Sequence, residues 1–469
     1  MRNTILVLFF LTITPGVMAQ IRLPAIFSSN MVIQQNTEIP IWGWAGPTQD
    51  IQIQISWDTT SVVQTKVSNT SIWKATIKTP SAGGPHTITI KAGAEKKMLE
   101  NVMVGEVWLC SGQSNMEWNM DASADGKPYL EQINDPLIRL FQIPRSAASS
   151  PQMKGEGNWN LCSGEPLRWF SAVAYYFGKT LNTELKVPIG LIHSSWGGTP
   201  AEVWVPKDII DSDSLLKAAA DKQCVIDRPW CPSAPGTAYN SMIVPLIPFK
   251  LSGIIWYQGE SNVEYPLSYK LLMEKLILNW RKDFQSELPF YYVQIAPYSG
   301  YGDNMNGVLL REQQSKLSET PKTGMVIISD VVENVKDVHP RYKRPVGERL
   351  ARLALEETYH SNTIPAKNPS FKTMKIENEK IKITFDNASN GLKSKEGKKL
   401  KGFIIAGSDK RFYPAKAVIK NNTVTIYSPK VREPVAVRFE WTNDALPNLF
   451  NKEGLPVSSF RTDEWKIEK

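Results

Sequence analysis

Cysteine and histidine are scarce in this 469-residue chain, with four of each. No cluster of the two has metal-ligand spacing, so neither a structural zinc nor any other metal site is expected. After the first residues no apolar run approaches the roughly 20 needed to span a bilayer, so no transmembrane helix is expected. Sustained heptads and low-complexity tracts are missing as well. The net charge of +8 comes from lysines and arginines scattered along the chain, with no basic stripe. That excludes nucleic acid as an expected partner. What remains is a globular composition, 42% hydrophobic and 21% charged, long enough for about three domains with sizeable cores.

The beginning of the chain reads as an export signal. Arg2 supplies the positive start, Ile5 to Ile13 the apolar stretch, and Val17-Met18-Ala19 the small-residue cleavage pattern before Gln20. Residues 1–19 are therefore expected to be removed after Ala19, leaving a secreted or periplasmic protein. Export permits disulfides, and Cys224 and Cys231 lie close enough in a Pro-rich stretch to close a small ring. Cys110 ends an apolar run, where a buried free thiol is expected, and Cys162 has no evident partner.

Three regions differ in rhythm. Residues 20–100 read as short strands separated by turns such as Ala45-Gly46-Pro47, with no convincing helix, which predicts a small β-sandwich. Residues 101–365 alternate apolar strands with amphipathic helices. Strands are expected at Val102–Cys110, Val187–Ser195, Gly253–Gln258, Phe290–Ile295 and Met325–Ser329, and helices at Ser171–Leu181, Leu267–Phe284, Val308–Leu317 and Val346–Tyr359. Such alternation predicts an α/β domain with a parallel sheet covered on both faces, which binds its ligand at the carboxyl ends of the strands. Residues 366–469 return to strand-like segments and predict a β-rich C-terminal domain.

Chemistry-bearing residues gather where those strands end. The first strand runs into Gly112-Gln113-Ser114-Asn115-Met116-Glu117. Ser114 thus sits at a strand-to-helix turn, where free backbone N–H groups point past its hydroxyl. An acyl-transfer nucleophile needs that geometry, although Ser114 to Glu117 also fits a helix capping box. Met116 departs from the Gly-x-Ser-x-Gly elbow. After the second strand comes Trp196-Gly197-Gly198-Thr199-Pro200-Ala201-Glu202, whose glycines allow close backbone approach and whose Thr199 to Glu202 predicts a capped helix. The third strand ends in Gln258-Gly259-Glu260-Ser261-Asn262, offering an amide donor at Gln258 and a carboxylate at Glu260. Of the four histidines, His86, His193 and His360 fall in a strand, in an apolar strand and at a helix end. His339, in Asp337-Val338-His339-Pro340, is the one in a loop at the gathered strand ends, which makes it the expected base.

That chain order of Ser, glycine donors, amide donor, Asp and His resembles the SGNH or GDSL-like hydrolases. Within them the wording is similar to the sialate O-acetylesterase family. The likeness rests on Gly105-Glu106-Val107-Trp108 through Met116, on Ser195 to Thr199, on Trp256-Tyr257-Gln258-Gly259-Glu260-Ser261-Asn262 and on Asp337 to Pro340 with Gly347-Glu348-Arg349-Leu350. It extends to Asn448-Leu449-Phe450-Asn451 and Phe460-Arg461-Thr462-Asp463. The resemblance implies a flavodoxin-like SGNH catalytic domain with β-sandwich-like terminal regions, and removal of O-acetyl groups from sialic acids or sialoglycans without a cofactor. It implies Ser114 as nucleophile and His339 as base. The Ser114 amide, a Gly197 or Gly198 amide and the Gln258 side chain would form the oxyanion hole, with Gln113, Asn115 and Glu260 supporting. SGNH enzymes commonly carry the triad acid three residues before the histidine, and that position here is Lys336. The acid is then Asp337, or another group such as Asp330 or a backbone carbonyl orients the ring. The same mechanism serves acetylxylan or another acetylated glycan, and the 15 tryptophans also fit a non-catalytic carbohydrate-binding protein.

Overall fold

The computed structural model describes residues 20–361 and 365–467; the predicted export signal, residues 1–19, lies outside them. The centre of the molecule is one long strand. Strand β1, Glu95–Gly112, spans 18 residues and changes character along its length. Its first residues alternate between half-buried or buried and exposed, and pair antiparallel with Gly83–Ala92 of the N-terminal β region. From Val102 onward every residue is buried, as a strand covered on both faces must be. The expected strand at Val102–Cys110 is the second half of this element.

Around that second half the sheet is built from β2 (Asn134–Gln142), β3 (Trp159–Ser163), β4 (Ile189–Ser195), β5 (Gly253–Tyr257), β6 (Phe290–Val293) and β7 (Thr323–Val326). Their order is β7-β6-β5-β1-β4-β2-β3. All neighbours are parallel except β3, which runs antiparallel to β2 at one edge. Strand alternation divides the core. Ile254, Trp256 and Tyr292 pack with helices Tyr269–Asp283 and Asn306–Leu317 on one face. Ile255, Tyr257 and Tyr291 pack with Ala172–Leu185 and Arg344–Glu357 on the other. The parallel α/β class and the four long helices follow the apolar periodicity closely. Neither β2 nor β3 is legible in the sequence, because their polar and charged positions break the apolar run.

In the N-terminal region the strands Glu38–Trp44 and Ile72–Lys78 form a second, two-stranded sheet against the first. The additional edge strand Asp58–Lys66 has too little apolar alternation to be read in advance. The C-terminal region has two four-stranded antiparallel sheets and its own core of Ile381, Ile383, Phe385, Ile405, Val424, Ile426, Val437 and Phe439. It is fastened to the α/β part by ionic and polar contacts: Arg461 holds Glu312 through two hydrogen bonds of 2.8 and 3.0 Å, and buried Arg311 donates to the carbonyls of Thr442 and Asn443. No described helix is long and apolar enough to cross a membrane.

Candidate active site

The turn after β1 is shaped by Gly112. Its φ is +139°, and a Cβ there would lie 2.2 Å from the Tyr257 carbonyl oxygen, so strand pairing at the centre of the sheet demands glycine. Four residues, Ser114–Glu117, then form one helical turn, with Gln113 at its cap. The Ser114 and Asn115 N–H groups have no backbone acceptor among the described residues, as expected at a helix start. The capping-box alternative is not what forms here, because Glu117 turns away to accept the Gly197 N–H at 2.8 Å.

Ser114 Oγ lies 2.8 Å from His339 Nε2, across 225 positions of sequence. Trp118 stacks on the imidazole with ring centroids 5.0 Å apart and planes at 24°. Burial first, and then the nearby Lys343 charge, lower the His339 pKa, with Asp337 opposing them. The ring is therefore neutral and able to accept a proton at neutral pH.

The expected acid does not meet the ring as a triad acid would. Asp337 Oδ1 accepts the backbone N–H of His339 at 2.9 Å and stands 4.0 Å from Nδ1, beyond hydrogen-bond reach. Two residues of separation fold the carboxylate back onto the backbone of its own loop. Asp330 is unavailable too, since Arg349 takes both its oxygens at 2.7 and 2.6 Å.

Two expected oxyanion donors are otherwise engaged. Gln258 is fully buried, with Nε2 donating to Thr199 O and Asn262 Oδ1 and with Oε1 accepting from Tyr269 OH; its amide braces the strand end. Gly197 gives its N–H to Glu117. Gly198, at φ +86°, keeps an N–H without an acceptor among the described residues. Instead of a capped helix after the glycines, a 3-10 turn spans Ala201–Trp204, its cap is Pro200, and Thr199 Oγ1 donates to Trp196 O. The two nearby thiols are free: Cys224 is exposed and points at the Ser233 carbonyl, whereas Cys231 is buried beside Gly198.

Gln113, Asn115 and Glu260 form the floor. Gln113 Oε1 lies 3.4 and 3.3 Å from the Gly259 and Ser261 amides. Asn115, wholly buried, donates to Glu260 Oε1 at 2.6 Å and to Val338 O at 3.0 Å, and accepts from Lys343 Nζ at 2.6 Å. Burial raises the Glu260 pKa, and Glu260 Oε2 has no partner among the described residues. Burial also lowers Lys343 to about 7, against the pull of Glu260, Asp125 and Asp337. Lys343 carried no signal in the sequence, where it precedes a helix in a charged stretch. Trp118, Glu117 and Arg145 were likewise unreadable, since their roles depend on distant partners. His193 is satisfied inside the sheet by Gln142 and Ser195, and burial pushes its pKa down to about 3.

A serine hydroxyl at a helix start, a neutral imidazole within hydrogen-bond reach and uncommitted N–H groups equip the site for acyl transfer. The family model for carbohydrate esterases described as sialic acid-specific acetylesterases matches residues 104–356, more than half the chain. The chain belongs to this esterase family. A carbohydrate acetylesterase from Xanthomonas citri superposes with a TM-score of 0.86 at 35% identity, covering 95% of this chain and 100% of its own. Sialate O-acetylesterases from Rattus norvegicus and Homo sapiens are each 27% identical, covering 81% and 74% of this chain and 82% and 73% of theirs. This carbohydrate esterase therefore has the SGNH-type fold, and it is an ester hydrolase.

Proposed function

We propose that this esterase removes O-acetyl groups from sialic acids through an acyl-enzyme on Ser114. The observation that carries the reading is the 2.8 Å contact between Ser114 Oγ and His339 Nε2 at the carboxyl edge of the parallel sheet. His339 takes the hydroxyl proton as Ser114 attacks the acetyl carbonyl, and returns it to the departing sugar oxygen. Water then releases acetate by the reverse roles. The N–H groups of Ser114 and Gly198 receive the oxyanion, where a single donor is worth about 3–4 kcal/mol. Asp337 acts through the loop backbone and its charge, while Trp118 holds the ring by stacking.

In this reading residues 101–365 are the catalytic unit, flanked by 20–100 and 366–469, and residues 1–19 direct export. A broader acetylated-glycan substrate is the second reading. It is favoured by the 35% identity to the Xanthomonas carbohydrate acetylesterase, against 27% to the sialate O-acetylesterases. Ser114→Ala is expected to abolish aryl acetate hydrolysis, and retained activity would refute the mechanism. Acetate release from O-acetylated sialic acids against acetylxylan decides the substrate.

A further inference from the structure

Beside the Gly197-Gly198 pair lie an exposed aromatic face and a half-used guanidinium. Trp230 is 61% exposed, uncommon for so large an apolar side chain. It is nonetheless held firmly. Trp196 Nε1 donates to its carbonyl at 3.0 Å, and Arg228 ties the same loop to Gln223 Oε1 and Ser261 O. The indole lies against the backbone of Gly198, where an added Cβ would meet Trp230 Nε1 at 2.4 Å.

Arg145 approaches the same pair from the Glu117 side. Its Nε donates to Glu117 Oε1 at 2.6 Å, and Glu117 Oε2 accepts the Gly197 N–H at 2.8 Å. Neither Nη of Arg145 has a protein acceptor among the described residues, and the side chain is 54% exposed. A Cβ on Gly197 would lie 3.3 Å from Ser114 Cβ, so the glycine pair that touches Trp230 and Glu117 runs beside the serine side chain. Glu117 thus fixes the guanidinium through Nε and leaves the end-on fork free, the geometry that binds a planar carboxylate.

We propose that Trp230 and Arg145 form a subsite for an anionic sugar. The indole supports the ring face, and the two Nη groups of Arg145 pair with the ring carboxylate while the acetyl group reaches Ser114. This deepens the sialate reading and rests on it. A neutral xylan sugar would use Trp230 alone.

The test compares kcat/KM for acetate release from an O-acetylated sialic acid and from its C1 carboxamide, which keeps the ring and removes the charge. Wild type is expected to favour the acid roughly tenfold. Arg145→Met brings that ratio to about one, and Arg145→Lys, which keeps charge without the fork, falls between. Arg341→Met, in the wall of a cavity of about 480 Å³ that is lined by neither Arg145 nor Trp230, leaves the ratio unchanged. Trp230→Ala lowers kcat/KM for both compounds roughly tenfold, and Trp230→Phe restores most of it. Thermal unfolding verifies that each variant is folded. A ratio near one in wild type, a ratio preserved in Arg145→Met, or a ratio lost in Arg341→Met overturns the subsite. Failure of the underlying reading looks different: the wild type then releases acetate from acetylxylan but from neither sialic acid derivative.

Discussion

Replacing Asn115 by alanine tests the floor of the site most directly. The side chain is fully buried and makes three hydrogen bonds, to Glu260, Val338 and Lys343. Two of these involve ionisable partners, and such bonds contribute about 1.5–3 kcal/mol each. Truncation leaves Lys343 Nζ without its acceptor and Glu260 Oε1 without its donor, beside a Glu260 Oε2 that already has none. Breaking a buried charged arrangement costs about 3–5 kcal/mol, which lowers the melting temperature of a unit this size by roughly 10 °C. Activity should fall further than stability explains, because the bond to the Val338 carbonyl anchors the loop one residue before His339. The assay is thermal and denaturant unfolding of the whole chain, with aryl acetate turnover measured below the transition. A loss under about 1 kcal/mol with turnover intact would refute the account of Asn115 as the tie between both halves of the site. Asn115→Asp sharpens the test. A carboxylate there still accepts from Lys343, yet it faces Glu260 at hydrogen-bond distance, so the pair must share a proton. The folded state then holds a proton that the unfolded chain releases, and stability relative to wild type falls as pH rises above the carboxylate range.

Lys343→Met removes a positive charge that lowers the His339 pKa; the neutral ring is the active form, so the acid limb of the pH–rate profile moves to higher pH, and an unmoved limb would count against the coupling. Asp337→Asn should cost about tenfold or less in kcat, against roughly 10⁴ where a triad acid bonds the imidazole directly, because Asp337 stands 4.0 Å from Nδ1. Gly112→Ala must absorb a 2.2 Å clash with the Tyr257 carbonyl at φ +139°; a destabilisation of about 3 kcal/mol or more is expected in denaturant titrations.

Much of the fold was legible because burial imposes a pattern. The helix Arg344–Glu357 buries Val346, Leu350, Leu353 and Ala354 on one face, and that spacing stands in the sequence unaided. Strands β4 and β5 are buried at every residue; β5 reads as a continuous apolar run, and β4 reads as one from Ile189 to Ile192 before its polar end at His193, Ser194 and Ser195. Strand β2 hid behind Asn134, Asp135 and Arg139, residues that an edge region tolerates. The continuity of β1 through two sheets was also hidden, since only its pairing partners distinguish the halves.

The site divides in the same way. Gly112, Ser114 and His339 could be singled out from the chain, because a glycine-shaped turn at a strand end and a histidine in the last loop before a helix are local signals. Parallel topology then brings every such strand end to one edge, which is why elements far apart in sequence could be assigned to one site. Tertiary structure alone decided which groups are free to act. The sequence offers Gln258 as a donor, but in the fold Thr199, Asn262 and Tyr269 engage its amide. The sequence offers Asp337 as the acid, but its carboxylate accepts from its own loop backbone. Lys343 meets Asn115 across 228 positions, and no periodicity records such a meeting. Apolar spacing reports which face of an element is buried; the partner of a polar atom is set by chain crossings that exist only after folding.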